Sequence, residues 1–196
     1  MRDLSWALAA ILVLVIMPLR FRSMFRRRAL ARGERRHTWT SVAMFLAVLG
    51  VYAGTAAYLA AGAWDGSWAL LAAGALLYGA GLRLRAAAIR TLGAYFSTYI
   101  EMRDRQPLIR EGPFRRVRHP NYAGLLLEAA GLPLAFEAWP VLLFVIAVFI
   151  PVLLARIRLE ERELVRTFGD AYLAYRSQVG ALIPGRNRAP APGGAS

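Results

Sequence analysis

The chain has 196 residues, 58% of them hydrophobic, and a mean hydropathy of +0.41, which is too apolar for an ordinary soluble domain of this size. It contains no cysteine, so disulfides, thiolate nucleophiles and cysteine-ligated metal sites are excluded. The net charge of +13 comes from 25 basic residues, all of them arginine, and the position of these arginines along the chain indicates what they contact.

Five apolar runs follow one another, each close to the roughly 20 residues that span a bilayer. The first run, residues 4–19, leads into arginines without a small-residue cleavage site, so it is predicted to be a retained helix and not a signal peptide. The other four runs are residues 39–62, 67–82, 121–136 and 138–155. The sequence therefore predicts an all-α fold, a polytopic membrane helix bundle with about five transmembrane helices.

The arginines are divided unevenly among the segments between these runs. One precedes the first run, eight lie in residues 20–36, nine in residues 83–118 and seven in residues 156–188. Five crossings place all but the first on one side of the membrane, which the positive-inside bias makes the cytoplasmic side. We therefore expect a protein of the bacterial inner membrane, with its N-terminus and the turns at Asp65 and Glu137 outside and its C-terminus in the cytoplasm.

This distribution also favours membrane lipids over nucleic acid as the partner of the positive charge. The arginines flank apolar runs and therefore face anionic headgroups, whereas a nucleic-acid site would combine them with base-stacking aromatics in a soluble fold. Residues 1–185 are predicted to form a single membrane domain. The alanine, proline and glycine of residues 186–196 cannot build a core, so this tail is expected to be disordered.

The C-terminal part of the domain is predicted to end in a cytoplasmic amphipathic helix. Apolar residues recur after Arg156 at spacings of three, four or seven, with charges between them. These apolar residues are Ile157, Leu164, Phe168, Tyr172 and Tyr175. Gly169 and Gly180 are the two positions at which the helix is expected to be interrupted.

Glycines in the second and third runs are expected to allow close helix packing, because they remove side chains that would keep neighbouring backbones apart. They are Gly50, Gly54, Gly74, Gly79 and Gly81. Packing within the chain and contact with a second copy are both open as explanations. The sequence leaves the oligomeric state undetermined.

Residues 106–124 read QPLIREGPFRRVRHPNYAG and combine a Gly-Pro turn, an arginine cluster and one of the two histidines of the chain. His119 precedes Pro120, so its backbone is expected to be extended where the fourth helix begins. The unpaired amides of a helix N-terminus can receive a carboxylate, such as that of an amino-acid-like cofactor. The alternative is that His119 only caps the helix.

Residues 156–175 read RIRLEERELVRTFGDAYLAY, in which Arg156, Glu160 and Glu163 share one helical face. A solvated Arg–Glu pair, which contributes only about 0.3–0.5 kcal/mol, is the ordinary explanation. Glu128 is the one carboxylate well inside a predicted span, on a face similar to that of Asn121. It is a candidate for an acceptor pocket, with a buried hydrogen bond to Tyr52, Tyr58 or Tyr78 as the alternative.

In this order and separated by two apolar runs, these two stretches resemble the signature of the isoprenylcysteine carboxyl methyltransferase family. The resemblance covers about residues 92–184, from LGAYFS to QVGALIPG, and this part is predicted to be the cofactor half of the domain. The first three runs match only in being hydrophobic. Members of the family are integral membrane enzymes that use S-adenosylmethionine to methylate the carboxylate of a C-terminal prenylcysteine.

The resemblance implies a cofactor pocket lined by Gln106, Pro107, Leu108, Ile109, Phe114, His119, Pro120, Asn121, Tyr122 and Glu160. Gln106 stands where relatives often have His, and Phe114 where Tyr is common, so hydrogen bonds from those two side chains differ from the family pattern. Arg156 matches the position that contacts substrate in the eukaryotic enzymes and is implied to be the catalytic residue that orients the acceptor. Glu128 joins Arg156 as a candidate substrate-binding residue, and no metal is expected.

The implied reaction is an in-line methyl transfer without a covalent enzyme intermediate, most simply to the carboxylate of an isoprenylcysteine-like, lipophilic or prenylated substrate. Alternatives within the superfamily are a phospholipid amine or a small thiol, which would first lose a proton to His119 or Glu161. Alternatives from other classes are a membrane reductase and a non-catalytic scaffold. The sequence does not distinguish the acceptors.

Overall fold

The computed structural model describes residues 34–102 and 106–185, together with Ala7, Ala9 and Ile11. The predicted first span at residues 4–19, most of the first arginine cluster and the tail at residues 186–196 lie outside the described residues. The first crossing and the disordered tail therefore stay predictions.

The described chain is mainly helical. Its elements in chain order are β1 (Glu34–Arg36), α1 (Thr38–Ala60), α2 (Trp68–Leu92), β2 (Ile100–Met102), α3 (Pro120–Ala135), α4 (Trp139–Phe144), α5 (Ile150–Phe168) and α6 (Asp170–Gln178). A π-helical segment, Val145–Phe149, joins α4 to α5, so that Trp139–Phe168 is one continuous helix. The all-α prediction missed a short antiparallel pair, in which Arg35 of β1 lies opposite Glu101 of β2.

Three of the described helices are long and apolar enough to cross a membrane: α1, α2 with the turn that follows it (Trp68–Tyr95), and Trp139–Phe168. Helix α3 covers the predicted fourth span but has only 16 residues, fewer than the roughly 20 that cross a bilayer without tilting or thinning it. The chain is therefore a helical membrane protein, and its count of five crossings stays a prediction. Helix α2 continues ten residues beyond the predicted run, to Leu92, because alanines and arginines continue the helix after Leu82.

Helices α2 and α3 lie backbone against backbone. A Cβ atom on Gly81 would lie 2.5 Å from the carbonyl oxygen of Gly124, closer than van der Waals contact allows. Of the other predicted packing glycines, a Cβ would also meet atoms of a neighbouring helix at Gly50, Gly54 and Gly74. Gly79 has no such neighbour within 4 Å among the described atoms, so packing within the chain explains every member of the set except Gly79.

The core lies where α1 meets α3 and the long helix of α4 and α5. Its most deeply buried side chains include Val51 of α1, Phe149 of the π-helical segment and Leu153 of α5. At one end of the bundle, the buried carboxylate of Glu137 accepts a hydrogen bond of 2.8 Å from the backbone nitrogen of Ser67. This bond brings together the two turns that were both predicted to lie outside the membrane.

The amphipathic segment after Arg156 is helical, and it is interrupted at the first of the two predicted positions. Gly169 has a φ of 52°, a left-handed conformation that glycine adopts at helix ends without steric cost. Helix α6 then begins at Asp170 and runs to Gln178. This change of direction returns the chain to the 106–122 stretch and so builds one wall of the candidate site.

Candidate functional site

A first cavity, with an empty volume of about 900 Å³, lies where the end of α2, the 106–122 stretch, α5 and α6 meet. All ten residues that the resemblance assigned to a cofactor pocket line it: Gln106, Pro107, Leu108, Ile109, Phe114, His119, Pro120, Asn121, Tyr122 and Glu160. Two stretches far apart in sequence therefore converge on one space.

The residues that precede α3 are hydrogen-bonded to the C-terminal segment. The backbone nitrogens of Arg118 and His119 donate to the carbonyls of Gly180 and Ala181 at 2.8 and 3.0 Å. His119 precedes the first residue of α3, as predicted, but its side chain makes no capping hydrogen bond. Its Nε2 lies 3.2 Å from Glu161 Oε1 instead, so capping does not explain the side chain of His119.

Arg118 is the side chain that joins the elements around this cavity, and the sequence did not single it out. It is buried, and its Nε and Nη2 donate to Glu161 Oε1 at 3.0 and 2.7 Å. Its Nη1 donates to the carbonyls of Arg176 and Val179 at the end of α6. The one available signal was its place in the arginine cluster directly before His119.

Helix α6 is also fixed through Tyr175. Its hydroxyl donates a hydrogen bond of 2.6 Å to the backbone carbonyl of Phe114. Burial raises the pKa of Tyr175 to about 12, against a partial opposing effect of Arg118 and Arg110. The phenol therefore keeps its proton, and its donor role, at neutral pH.

Glu160, Tyr122 and Arg156 form a continuous chain of hydrogen bonds. The Tyr122 hydroxyl donates to Glu160 Oε2 at 2.5 Å and accepts from Arg156 Nε at 2.7 Å. Arg156 is 4% exposed, so the solvated Arg–Glu pair is not what these residues form. Glu163, the third residue of the predicted face, is bonded to Arg166 and His37.

A second cavity, with an empty volume of about 940 Å³, adjoins the first. Arg156 lines it, with Arg85 of α2 and a largely apolar wall from α1 and α3. Asn121 and Tyr122 line both cavities. The side chains at the start of α3, with Phe96, Ser97 and Tyr99, therefore form the boundary between the first cavity and a more apolar second one.

Glu128 lies outside both cavities. It is 3% exposed, its Oε2 is 3.7 Å from Arg85 Nη1, and it lines a smaller, separate cavity beside Tyr52. The hydroxyl of Tyr52 is 2.7 Å from that of Tyr78. The structure thus places a cation of α2 beside Glu128, and the role of Glu128 in acceptor binding stays a prediction.

The first cavity suits a ligand that carries both charges and a flat ring. Carboxylates of Glu101 and Glu160 line it together with the cationic or polar side chains of Arg118 and His119, and aromatic rings complete the wall. Gln106 Oε1 is buried without a hydrogen-bond partner among the described residues. Such an acceptor costs about 1–3 kcal/mol when unsatisfied, so a ligand donor at this position is energetically favoured.

The profile of the isoprenylcysteine carboxyl methyltransferase family matches residues 73–166. The chain is 32% identical over 113 residues to the protein-S-isoprenylcysteine O-methyltransferase of Saccharomyces cerevisiae, covering 57% of this chain and 47% of the relative. It is 38% identical over 88 residues to the methanethiol S-methyltransferase of Crocosphaera subtropica, covering 44% of this chain and 33% of the relative.

Among solved structures, the fold is similar to that of a eukaryotic intramembrane Ras methyltransferase, an isoprenylcysteine carboxyl methyltransferase. The TM-score is 0.57 at 25% sequence identity, and the match covers 77% of this chain and 53% of that structure. The chain thus spans about half the length, or less, of the relatives it matches.

Proposed function

Because the chain belongs to the isoprenylcysteine carboxyl methyltransferase family, we propose that it transfers a methyl group from S-adenosylmethionine to a lipophilic acceptor at the cytoplasmic face of the bacterial inner membrane. The acceptor on this proposal is an isoprenylcysteine-like carboxylate. Residues 1–185 form the methyltransferase domain, and its partners are a lipophilic or prenylated substrate and membrane lipids.

One observation carries the proposal: the 106–122 stretch and α5 line a cavity that contains two carboxylates, and this cavity shares part of its wall with a second, more apolar one. A methyl transfer between a water-soluble donor and a lipid-like acceptor requires two such adjoining sites. Holding both reactants in position removes much of the entropic part of the barrier. Asn121 and Tyr122, which line both cavities, stand where the two reactants would meet.

The residues of the first cavity fit the cofactor by charge and shape. When bound, S-adenosylmethionine supplies a methyl group activated by its positively charged sulfur. Glu160 binds the cofactor's ammonium group, and Gln106 Oε1 accepts a hydrogen bond from it. The start of α3 would hold the carboxylate end, where the helix dipole favours an anion.

The second cavity is proposed to hold the acceptor. Its apolar side chains from α1 and α3 bind the lipid part and exclude water, which strengthens the electrostatic interactions near the reacting groups. Arg156 holds Tyr122 in place at the boundary. A carboxylate acceptor is already nucleophilic, so no general base is needed.

A small thiol is the second candidate acceptor, because a methanethiol S-methyltransferase matches this chain at 38% identity. A thiol with an ordinary pKa is mostly protonated at neutral pH, so it would require a base. His119, which lines the first cavity and is bonded to Glu161, is the candidate for that role.

The test is transfer of labelled methyl from S-adenosylmethionine, by the full chain in lipid nanodiscs, to a panel of prenylcysteines, small thiols and phospholipid amines. We expect the prenylcysteine carboxylate to be methylated. Glu160→Ala and His119→Ala should each weaken cofactor binding by about tenfold, the value of one charged hydrogen bond. Arg156→Ala should mainly impair transfer.

Arg158→Gln is the matched control, since Arg158 is exposed on the same helix and lines neither of the two cavities. Unchanged cofactor affinity in both the Glu160 and the His119 variant would reject the site assignment. Transfer to thiols alone would select the second candidate, and cofactor binding that is undetectable in the unsubstituted protein would reject the proposed activity.

A further inference from the structure

A groove lined by arginines lies on α5 and α6 and is separate from both cavities. Its lining includes Arg158, Arg162 and Arg166 of α5 and Arg176 of α6, with Glu161 as the one carboxylate among the described residues. All four arginines are exposed, and none of them lines the first or the second cavity. The proposed methyl transfer therefore gives these four side chains no role.

Two arginines of this groove have no counter-charge within the described part of the chain. Arg158 and Arg162 make no hydrogen bond or ion pair with any described residue. Glu161 is engaged elsewhere, because its Oε1 accepts hydrogen bonds of 2.7 and 3.0 Å from Arg118. The groove therefore presents a net positive charge to an approaching anion.

The three arginines of α5 stand four residues apart and so form a row on one face of the helix. Like charges at this spacing destabilise a helix by about 0.2–0.5 kcal/mol per pair. Arg166 is compensated by Glu163, whose Oε1 accepts a hydrogen bond of 3.0 Å from it. An anion bound between Arg158 and Arg162 would offset the repulsion between those two.

The face of α5 that carries this row of arginines begins inside the apolar part of the helix. Leu154 lies four residues before Arg158, is 37% exposed, and belongs to the segment that is long and apolar enough to cross a membrane. A side chain exposed there faces acyl chains, so the arginines that continue the same face emerge among the lipid headgroups. Leu173 of α6, 45% exposed, gives the groove an apolar edge.

We propose that this arginine groove binds the phosphate group of an anionic phospholipid of the cytoplasmic leaflet, a site that is separate from the proposed methyl transfer. Guanidinium groups from two helices donate to the phosphate oxygens with matching planar geometry, and basic pockets on the cytoplasmic side of membrane helices bind such headgroups. The exposed Leu154 favours a lipid over free phosphate, because the acyl chains of a bound lipid would contact it. A bound headgroup would also hold α6 against α5.

The test is lipid binding to the full chain in detergent, measured by native mass spectrometry during separate titrations with phosphatidylglycerol, phosphatidylcholine and inorganic phosphate. The groove variant carries Arg162→Gln and Arg176→Gln together. The control carries Arg83→Gln and Arg90→Gln, which remove the same charge from exposed positions of α2 that line neither the groove nor the two cavities.

We expect the unsubstituted protein to bind phosphatidylglycerol more tightly than the other two ligands. The groove variant should bind phosphatidylglycerol about tenfold more weakly or less, as for lost charge-assisted hydrogen bonds, and the control should stay within about twofold. Equal weakening in both variants would indicate attraction by overall charge and overturn the inference, as would unchanged binding in the groove variant. Binding of inorganic phosphate as tight as that of phosphatidylglycerol would overturn the assignment to a lipid.

If the groove variant does not fold, Arg162→Gln alone decides by the same comparison with Arg83→Gln. Because the groove arginines lie outside both cavities, affinity for S-adenosylmethionine should be the same in the groove variant and the unsubstituted protein. Selective binding of phosphatidylglycerol by a protein without methyl transfer would reject the proposed function and leave the groove assignment standing. Methyl transfer by a protein that does not prefer phosphatidylglycerol would do the reverse.

Discussion

At the scale of single residues, the hydroxyl of Tyr122 joins two charged groups that approach it from α5. It donates to Glu160 and accepts from Arg156, which is also held by Thr40 and Ser41 of α1. This residue of α3, at the boundary between two cavities, is thereby bonded directly to α5 and, through Arg156, to α1. Its proposed role is to align the donor site with the acceptor site.

Tyr122→Phe tests this alignment while keeping the ring. Loss of a hydrogen bond to a charged group costs about 1.5–3 kcal/mol, so we expect kcat/KM for methyl transfer to fall by at least about tenfold. Tyr58→Phe, at a tyrosine that lines neither of the two cavities, is the control. Equal activity of the two variants would show that the Tyr122 hydroxyl does not contribute.

At the scale of elements, two kinds of contact position the site. Helix α6 is joined to the 106–122 stretch by Arg118 and Tyr175, both of which bond backbone carbonyls. Helices α2 and α3 are joined by glycine contacts that bring Arg85 within reach of Asn121. The shapes of both cavities therefore depend on the relative positions of these helices, which a few contacts fix.

Tyr175→Phe removes the bond to the Phe114 carbonyl and should lower the free energy of unfolding by about 1 kcal/mol. Because burial raises the Tyr175 pKa from an ordinary value near 10 to about 12, the folded state holds this proton more tightly than the unfolded state. The contribution is complete below about pH 10 and is lost as the pH rises towards 12. Thermal unfolding at pH 8 and pH 11 should therefore show a smaller difference between the two proteins at pH 11.

Gly81→Val tests the contact between α2 and α3. The added side chain has no space against the backbone of Gly124, and overpacking typically costs about 1–3 kcal/mol. We expect a lower unfolding temperature in detergent. We also expect weaker binding of both S-adenosylmethionine and the lipophilic acceptor. Gly79→Val, two positions away with open space around it, is the matched control, and similar destabilisation by both substitutions would contradict the packing described here.

At the scale of the whole molecule, the distribution of charge and hydropathy along the chain predicts how the protein is oriented across the membrane. The fold alone does not determine this orientation. The turns at Asp65 and Glu137 lie at one end of the bundle, joined through Ser67, whereas α6 follows the arginine-rich half of α5. Three helical segments separate Asp65 from α6. We propose that the Asp65 end is outside and that α6 is cytoplasmic.

Because the chain has no cysteine, single cysteines can be introduced without removing others. Asp65→Cys should react with a membrane-impermeant maleimide in intact spheroplasts, and Gln178→Cys only after permeabilisation, since both positions are exposed and are predicted on opposite sides. Labelling in the reverse order would invert the orientation. Labelling of both from outside would contradict three crossings between them.

The sequence by itself determined the membrane class and the helical composition, and its resemblance to a known family gave ten of the residues that line the first cavity. Hydropathy over about 20 residues depends on composition and is read without the fold, and the cavity residues belong to two stretches with a recognisable order. Helix starts at Pro120 and the break at Gly169 were also predictable, because proline and glycine act locally on the backbone.

Only the tertiary structure decided how the charged side chains are paired. Arg156 is hydrogen-bonded to Tyr122, Thr40 and Ser41, and not to Glu163. Arg118 joins the site to α6 by a hydrogen bond to the carbonyl of Arg176. The prediction for Glu128 missed Arg85 because α2 was expected to end before it. Helical periodicity assigns residues to a face but carries no information on which face of which other helix lies opposite, and that choice is made by packing across the whole bundle.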